Sequence, residues 1–348
     1  MLVRKKSNSF MENMQKKRID WIDCAKGIGI LLVIFGHSLT GSGSLIEYLL
    51  LAAIFSFHMP LFFILSATTF RFSDSIETFK TKTVKAFRHL VLPALVIYLI
   101  RSIISFVDEP MNISTFLKDR LFTLLFASGV SLNIGNLHIR EFGMIWFFIV
   151  LFIGRSFYDF IHINAGKSEL VIFCLIMSAL GAIVGRYQFL PLSLDIVLAV
   201  MPLFFVGEML KKRERDSNTL LWCLISGVLW LVSFGCVYYF GHGFLELAAR
   251  KYPLYPLCLI CAVFGTLFIG YICQLISEVK VLNDPLKYIG KNSIYLYCVH
   301  AMDYLLKPVW LITGNVFING IVRVALDVLI SMLILFVLGK VRKAKTNS

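Results

Sequence analysis

Ten apolar runs recur along this 348-residue chain, each about as long as the ~20 residues a helix needs to cross a bilayer core. That pattern restricts the fold more than any single motif. In hydrocarbon every backbone amide and carbonyl must be satisfied inside the segment, so helices are the expected spanning elements. The runs fall at roughly 22–40, 45–69, 90–107, 142–160, 169–187, 193–210, 219–240, 254–276, 293–312 and 317–338. A mean hydropathy of +0.80 with only 16% charged residues excludes an ordinary soluble domain. The expected fold class is all-α, a polytopic transmembrane helical bundle of about ten spans. Three regions follow: a basic tail over 1–21, one spanning domain over 22–340, and a second basic tail over 341–348.

An even number of spans puts both termini on one side. Of the 34 lysines and arginines, 24 then lie in segments on that side, seven lie opposite, and Lys26, Arg101 and Arg323 lie within spans. The asymmetry marks the termini as cytosolic. It also accounts for the net charge of +13 through anionic lipid, so no nucleic-acid partner is expected. The first run is too long for a cleavable signal peptide and is not followed by a small-residue cleavage site. All eight cysteines fall within runs, where they read as small packing residues. Cys258-Leu-Ile-Cys261 has no partner pair, and no metal is expected. The segment from about 108 to 141 is the longest outer loop, a surface segment or a lid.

Chemistry concentrates in the first two runs. Lys26 and His37 are separated by ten residues in the first. Eleven steps of ~100° come to about 20° beyond three turns, so the two share a helix face, ~16 Å apart along the axis. Ionisable groups inside a span cost roughly 3 kcal/mol or more and are functional candidates by default. Asp23 stands three residues before Lys26, within reach as a side-chain partner. In the second run, His58 precedes Pro60 by two. Proline removes a backbone donor and opens the helix, and a histidine there either lines a polar cavity or satisfies the broken ladder.

With these residues in place, the stretch from Arg18 to His37 resembles the first-span signature of the acyltransferase-3 family of membrane acyltransferases. Phe57-His-Met-Pro-Leu-Phe-Phe63 is similar to the second span of that family, especially in the branch of the fucose 4-O-acetylases. Lys85-Ala-Phe-Arg88, Trp146-Phe-Phe, Pro202-Leu-Phe-Phe-Val-Gly207 and Gly290-Lys-Asn-Ser-Ile-Tyr-Leu-Tyr-Cys-Val-His300 continue the likeness in register. Lysine stands at 26 and 85 where arginine is more usual, and Ala67 where glycine commonly follows the serine. The charges are kept, but lysine lacks the planar fork that grips a phosphate bidentately.

The resemblance implies transfer of an acyl group, acetyl first, from cytosolic acyl-CoA to a carbohydrate hydroxyl in a bacterial inner membrane. His37 would be the general base, with Lys26, His58 and Asp23 beside it. Neutral histidine titrates near neutrality and suits that role. Arg71, Lys82, Lys85 and Arg88 would meet the anionic nucleotide end of acetyl-CoA. Trp146, Tyr297 and His300 would line the acceptor side. Arg101 and Asp195 are further polar-core candidates, and Arg323 and Asp327 are spaced as an i,i+4 pair. The rival reading is a transporter or flippase for a glycolipid or acyl group, since charged and broken spans also serve transport. A polysaccharide polymerase or a passive scaffold explains less of the Lys26, His37 and His58 convergence.

Overall fold

A computed structural model describes residues 19–39, 43–108, 112–212 and 216–346, with 212 and 342–346 as backbone alone. The basic tail through Arg18, together with Arg213, Arg215 and the last two residues, lies outside the described residues. The helices are α1 (Asp20–Ser38), α2 (Leu45–Phe55), α3 (His58–Thr69), α4 (Ile76–Ala86), α5 (Leu92–Asp108), α6 (Ile113–Phe126) and α7 (Trp146–His162). They continue with α8 (Lys167–Tyr187), α9 (Leu194–Ala199), α10 (Met201–Met209), α11 (Thr219–Phe240) and α12 (Leu257–Leu275). The chain closes with α13 (Lys280–Lys291), α14 (Ser293–His300), α15 (Lys307–Trp310) and α16 (Val316–Thr346). The fold is an all-α polytopic bundle, apart from one small hairpin of β1 (Leu132–Ile134) and β2 (Leu137–Ile139).

Each of the ten apolar runs is helical, but they are not alike. Among the described residues seven helices are long and apolar enough to cross a membrane, counting Leu45–Thr69 and Ile76–Asp108 as single spans. The other three runs are the 17-residue α7, the pair Pro191–Ala199 and Met201–Met209 bent by 49°, and the interrupted series α14 to α15. Local chemistry explains the bend. Pro202 offers no amide to the preceding turn, and the Ala199 carbonyl at the break accepts from Ser178 Oγ at 2.7 Å. At the other extreme α16 runs past the apolar stretch to Thr346. Lys, Arg and Ala are good helix formers, and cations favour a helix C-terminus.

Within the outer loop expected from the sequence, residues 112–141 are more ordered than a loop. They form α6, then Ala127 and Ser128 turn into the core, and the hairpin follows. The Ser193 hydroxyl donates to the Ala127 carbonyl at 3.0 Å and anchors that turn. All eight cysteines are free thiols within helices.

Two short helices set the position of the site. The connection into α4 is fixed by a reciprocal cap, in which Ser75 Oγ accepts from the Thr78 amide and Thr78 Oγ1 accepts from the Ser75 amide. At the same end α13 lies against the start of α1 at backbone distance. A Cβ on Gly27 would sit 2.2 Å from the Leu286 carbonyl, and one on Gly290 would sit 1.7 Å from the Asp23 carbonyl. Small residues permit this approach. Lys287 ties the pair by an ion pair to Asp20 at 2.9 Å, and the carboxylates of Asp20 and Asp284 raise its pKa. Gly290→Ala therefore forces α13 off α1. The expected cost is about 1–3 kcal/mol, read as a lower melting temperature in detergent, and an unchanged melting curve would contradict the packing described.

Candidate active site

At the end of the bundle where α1 begins, a cavity of about 220 Å³ opens between α1, α3, α7 and α14. Its rim is charged: Lys26, Arg155 and Lys291 face it together with Asp23 and His89. Its inner wall is apolar and aromatic, made by Ile30, Phe147 and Tyr297. The Tyr297 hydroxyl donates to the Met144 carbonyl, which fixes the ring at the inner end. Arg155 lies over the Phe70 ring at 4.8 Å.

Of the residues singled out in the sequence, Asp23, Lys26 and Tyr297 line this cavity. Arg71, Lys82, Lys85 and Arg88 lie at the same end of the bundle but outside the lining. Lys82 donates to the Arg71 carbonyl at 2.8 Å, while Arg71, Lys85 and Arg88 are exposed. Trp146 is buried beside Gly129, where a Cβ would touch its ring at 2.4 Å, so it serves packing. Arg155 and Lys291 are site residues that the sequence does not single out. Lys291 sits inside the Gly290-to-His300 motif, and Arg155 follows Trp146 by nine residues on one helix. Both signals are present as sequence, but neither reveals which way a side chain is turned.

Deeper in the bundle four helices bring three histidines together. The His37 and His300 rings are 5.5 Å apart, and Phe55 bridges His37 (5.5 Å) and His58 (4.4 Å). His58 is buried, and its Nδ1 donates to the Ile54 carbonyl at 3.2 Å, across the break between α2 and α3. Of the two roles open to it in the sequence, the observed contact is satisfaction of the broken ladder. Near the carboxyl end of the chain, His300 Nδ1 donates to Asp303 at 2.9 Å and to Asp327 at 3.2 Å. This arrangement makes Nδ1 the protonated nitrogen and leaves Nε2 buried, with no hydrogen-bond partner among the described residues.

Arg323 does not pair with Asp327 one turn along its own helix. It grips Asp303 instead, through Nε at 2.6 Å and Nη2 at 2.8 Å, with its guanidinium over the Trp310 ring at 4.4 Å. The bidentate geometry is the stronger one. His300, Asp303 and Asp327 hold ligand atoms within 4.8 Å of one another, a spacing that suits a metal ion. Arg323 already occupies both oxygens of Asp303, so a cation is built into the cluster. Asp195 is likewise committed, bound by Arg250 at 2.7 Å in a buried pair that joins α9 to the segment after α11.

The site is thus an electropositive cavity at one end and an imidazole pair further along the same helices. Ile30 precedes His37 by seven residues and Tyr297 precedes His300 by three, so one to two turns separate the cavity floor from the rings. A family model described as an acyltransferase domain, that of acyltransferase-3, matches residues 19–340. A search of the curated proteins found no match. The matched region begins just before α1 and ends within α16, and it contains every residue of both clusters. The chain therefore belongs to the acyltransferase-3 family and is an integral-membrane acyltransferase.

Proposed function

We propose that the protein moves an acyl group, acetyl first, from cytosolic acyl-CoA to a hydroxyl of a surface polysaccharide or its lipid-linked precursor, in a bacterial inner membrane. The observation that carries this reading is the cationic cavity lined by Lys26, Arg155 and Lys291, of which Lys26 lies on the helix that also bears His37. Its volume of about 220 Å³ falls below the roughly 300–1,000 Å³ of ordinary ligand pockets. Such a space suits the thin pantetheine arm rather than a whole nucleotide. The phosphates would stay at the rim, where Lys291 and the exposed Lys85 and Arg88 supply charge. His37 takes the proton of the acceptor hydroxyl as its oxygen attacks the thioester carbonyl. The carbon–sulfur bond breaks, and the thiolate leaves as coenzyme A after regaining that proton. The likeness of the second span to fucose 4-O-acetylases supports a sugar as acceptor.

The test is acetyl transfer from labelled acetyl-CoA by the purified protein in lipid nanodiscs. Lys291→Ala and Arg155→Ala are expected to raise the KM for acetyl-CoA about tenfold or more each, the scale of one lost charge-assisted contact, with kcat less affected. Donor KM values unchanged in both variants would reject this cavity as the donor entry. The bent α9–α10 pair and the interrupted α14 keep a transporter as the second reading. Movement of a glycolipid across the bilayer of sealed proteoliposomes without acetyl-CoA would favour it.

A further inference from the structure

The end of the bundle away from the Lys26 cavity holds a second, larger cavity of about 430 Å³ between α5, the segment after α6 and the turn after α14. Its walls are polar. Arg101, Arg120 and Arg140 outnumber the two carboxylates that also line it, Asp108 and Glu141, and Tyr98 and Tyr304 supply the rings. That end of the chain is poor in cations, with seven lysines and arginines in all its segments, yet two of them converge here on an arginine from within a span.

The charges are not equivalent. Arg120 is held by Asp119 at 3.2 Å, and Arg140 also approaches Asp119, at 3.7 Å. Glu141 accepts from Ser131 at 3.0 Å. Arg101 meets the Tyr304 ring at 5.3 Å and no carboxylate among the described residues. A space is cut for it: Gly143 has a φ of +75°, and a Cβ there would lie 2.3 Å from Arg101 Nη1. An arginine inside a span is expensive and normally paired. Here its planar fork is presented beside an aromatic wall in a cavity of ordinary ligand size.

The cavity is also close to the chemistry. Tyr304 follows Asp303, the residue that holds His300 and Arg323. His300 and Tyr304 are four residues apart, about one turn. The imidazole pair thus lies between the two cavities, with Tyr297 facing one and Tyr304 the other.

We infer that this second cavity binds the acceptor, and that the acceptor is a glycan bearing an anionic group held by Arg101. The anion is a carboxylate or phosphate oxygen pair, which the guanidinium meets bidentately. It belongs either to a uronic acid in the glycan or to the diphosphate of a lipid-linked precursor. Tyr98 and Tyr304 flank the sugar ring, and one hydroxyl points past Tyr304 toward His300 and His37. The inference deepens the proposed acyl transfer by naming its acceptor, but its direct test does not depend on turnover.

The experiment is equilibrium binding to the detergent-purified full chain, with a glucuronate-containing tetrasaccharide, inorganic pyrophosphate and a neutral glucose tetrasaccharide as probes. The expected result is saturable binding of an anionic probe and at least tenfold weaker binding of the neutral one. Tighter binding of the tetrasaccharide assigns the anion to a uronic acid, and tighter binding of pyrophosphate assigns it to a lipid-linked diphosphate. Arg101→Ala should weaken the anionic probe about ten- to a hundredfold, and Arg101→Lys should recover part of the loss. Melting curves confirm that both variants are folded, and Arg101→Gln replaces the alanine variant if that one is not. No binding of either anion, or equal binding in wild type and Arg101→Ala, overturns the inference. Failure of acetyl transfer in the donor assay, with anion binding intact, would instead overturn the proposed activity.

Discussion

Replacing His37 with alanine is expected to lower acyl transfer by about 10²–10⁴-fold, the range a positioned base contributes, while the protein still inserts and elutes as a single species. His37 lies in the last turn of α1, half-buried, with Phe55 and His300 against its ring. Truncation there removes a ring from a partly open site. The stability cost should therefore be small beside the loss of rate. His37→Gln keeps much of the volume and a hydrogen-bonding end, but it cannot take a proton, and it should be as inactive as alanine. The measurement is single-turnover ester formation from labelled acetyl-CoA at saturating acceptor. A glutamine variant within threefold of wild type would remove His37 from the role of base.

The largest effect on stability is expected at Arg323. Its guanidinium holds both oxygens of Asp303, which is 1% exposed, and Asp303 in turn holds His300. Arg323→Ala leaves a buried carboxylate without its cation, with a second carboxylate, Asp327, joined to the same imidazole. Losing one partner of a buried pair costs roughly 3–5 kcal/mol, mostly the penalty of the charge left behind. For a chain of this size that corresponds to a melting temperature lower by about 4–7 °C. Replacing both members, Asp303→Leu with Arg323→Met, removes the orphaned charge and should restore part of the loss. The check is thermal unfolding of the single and double variants in one detergent. A single variant that melts with wild type, or a double variant worse than both singles, would contradict this account.

What the chain states by itself is whatever depends on residues near one another in sequence. Apolar length and helical period are local, so the ten helical segments, the one-sided distribution of cations and the shared face of Lys26 and His37 are legible in the order of residues alone. The bend at Pro202 and the break beside His58 belong to the same class, since a missing amide acts on its own turn. The i,i+4 spacing of Arg323 and Asp327 misleads for a related reason: spacing shows which partners are within reach but not which competitor another helix supplies. Asp303 arrives from the turn after α14 with two oxygens in line with the guanidinium, and that geometry prevails. Arg155 and Lys291 joining Lys26, His300 facing His37, and Arg101 meeting Tyr304 are likewise matters of helix rotation and crossing. Those depend on backbone distances such as the Gly27 and Gly290 contact, where two helices touch across more than 260 residues of chain. Hydropathy determined which segments cross and in what order, whereas the close packing of side chains between helices decided which charges meet.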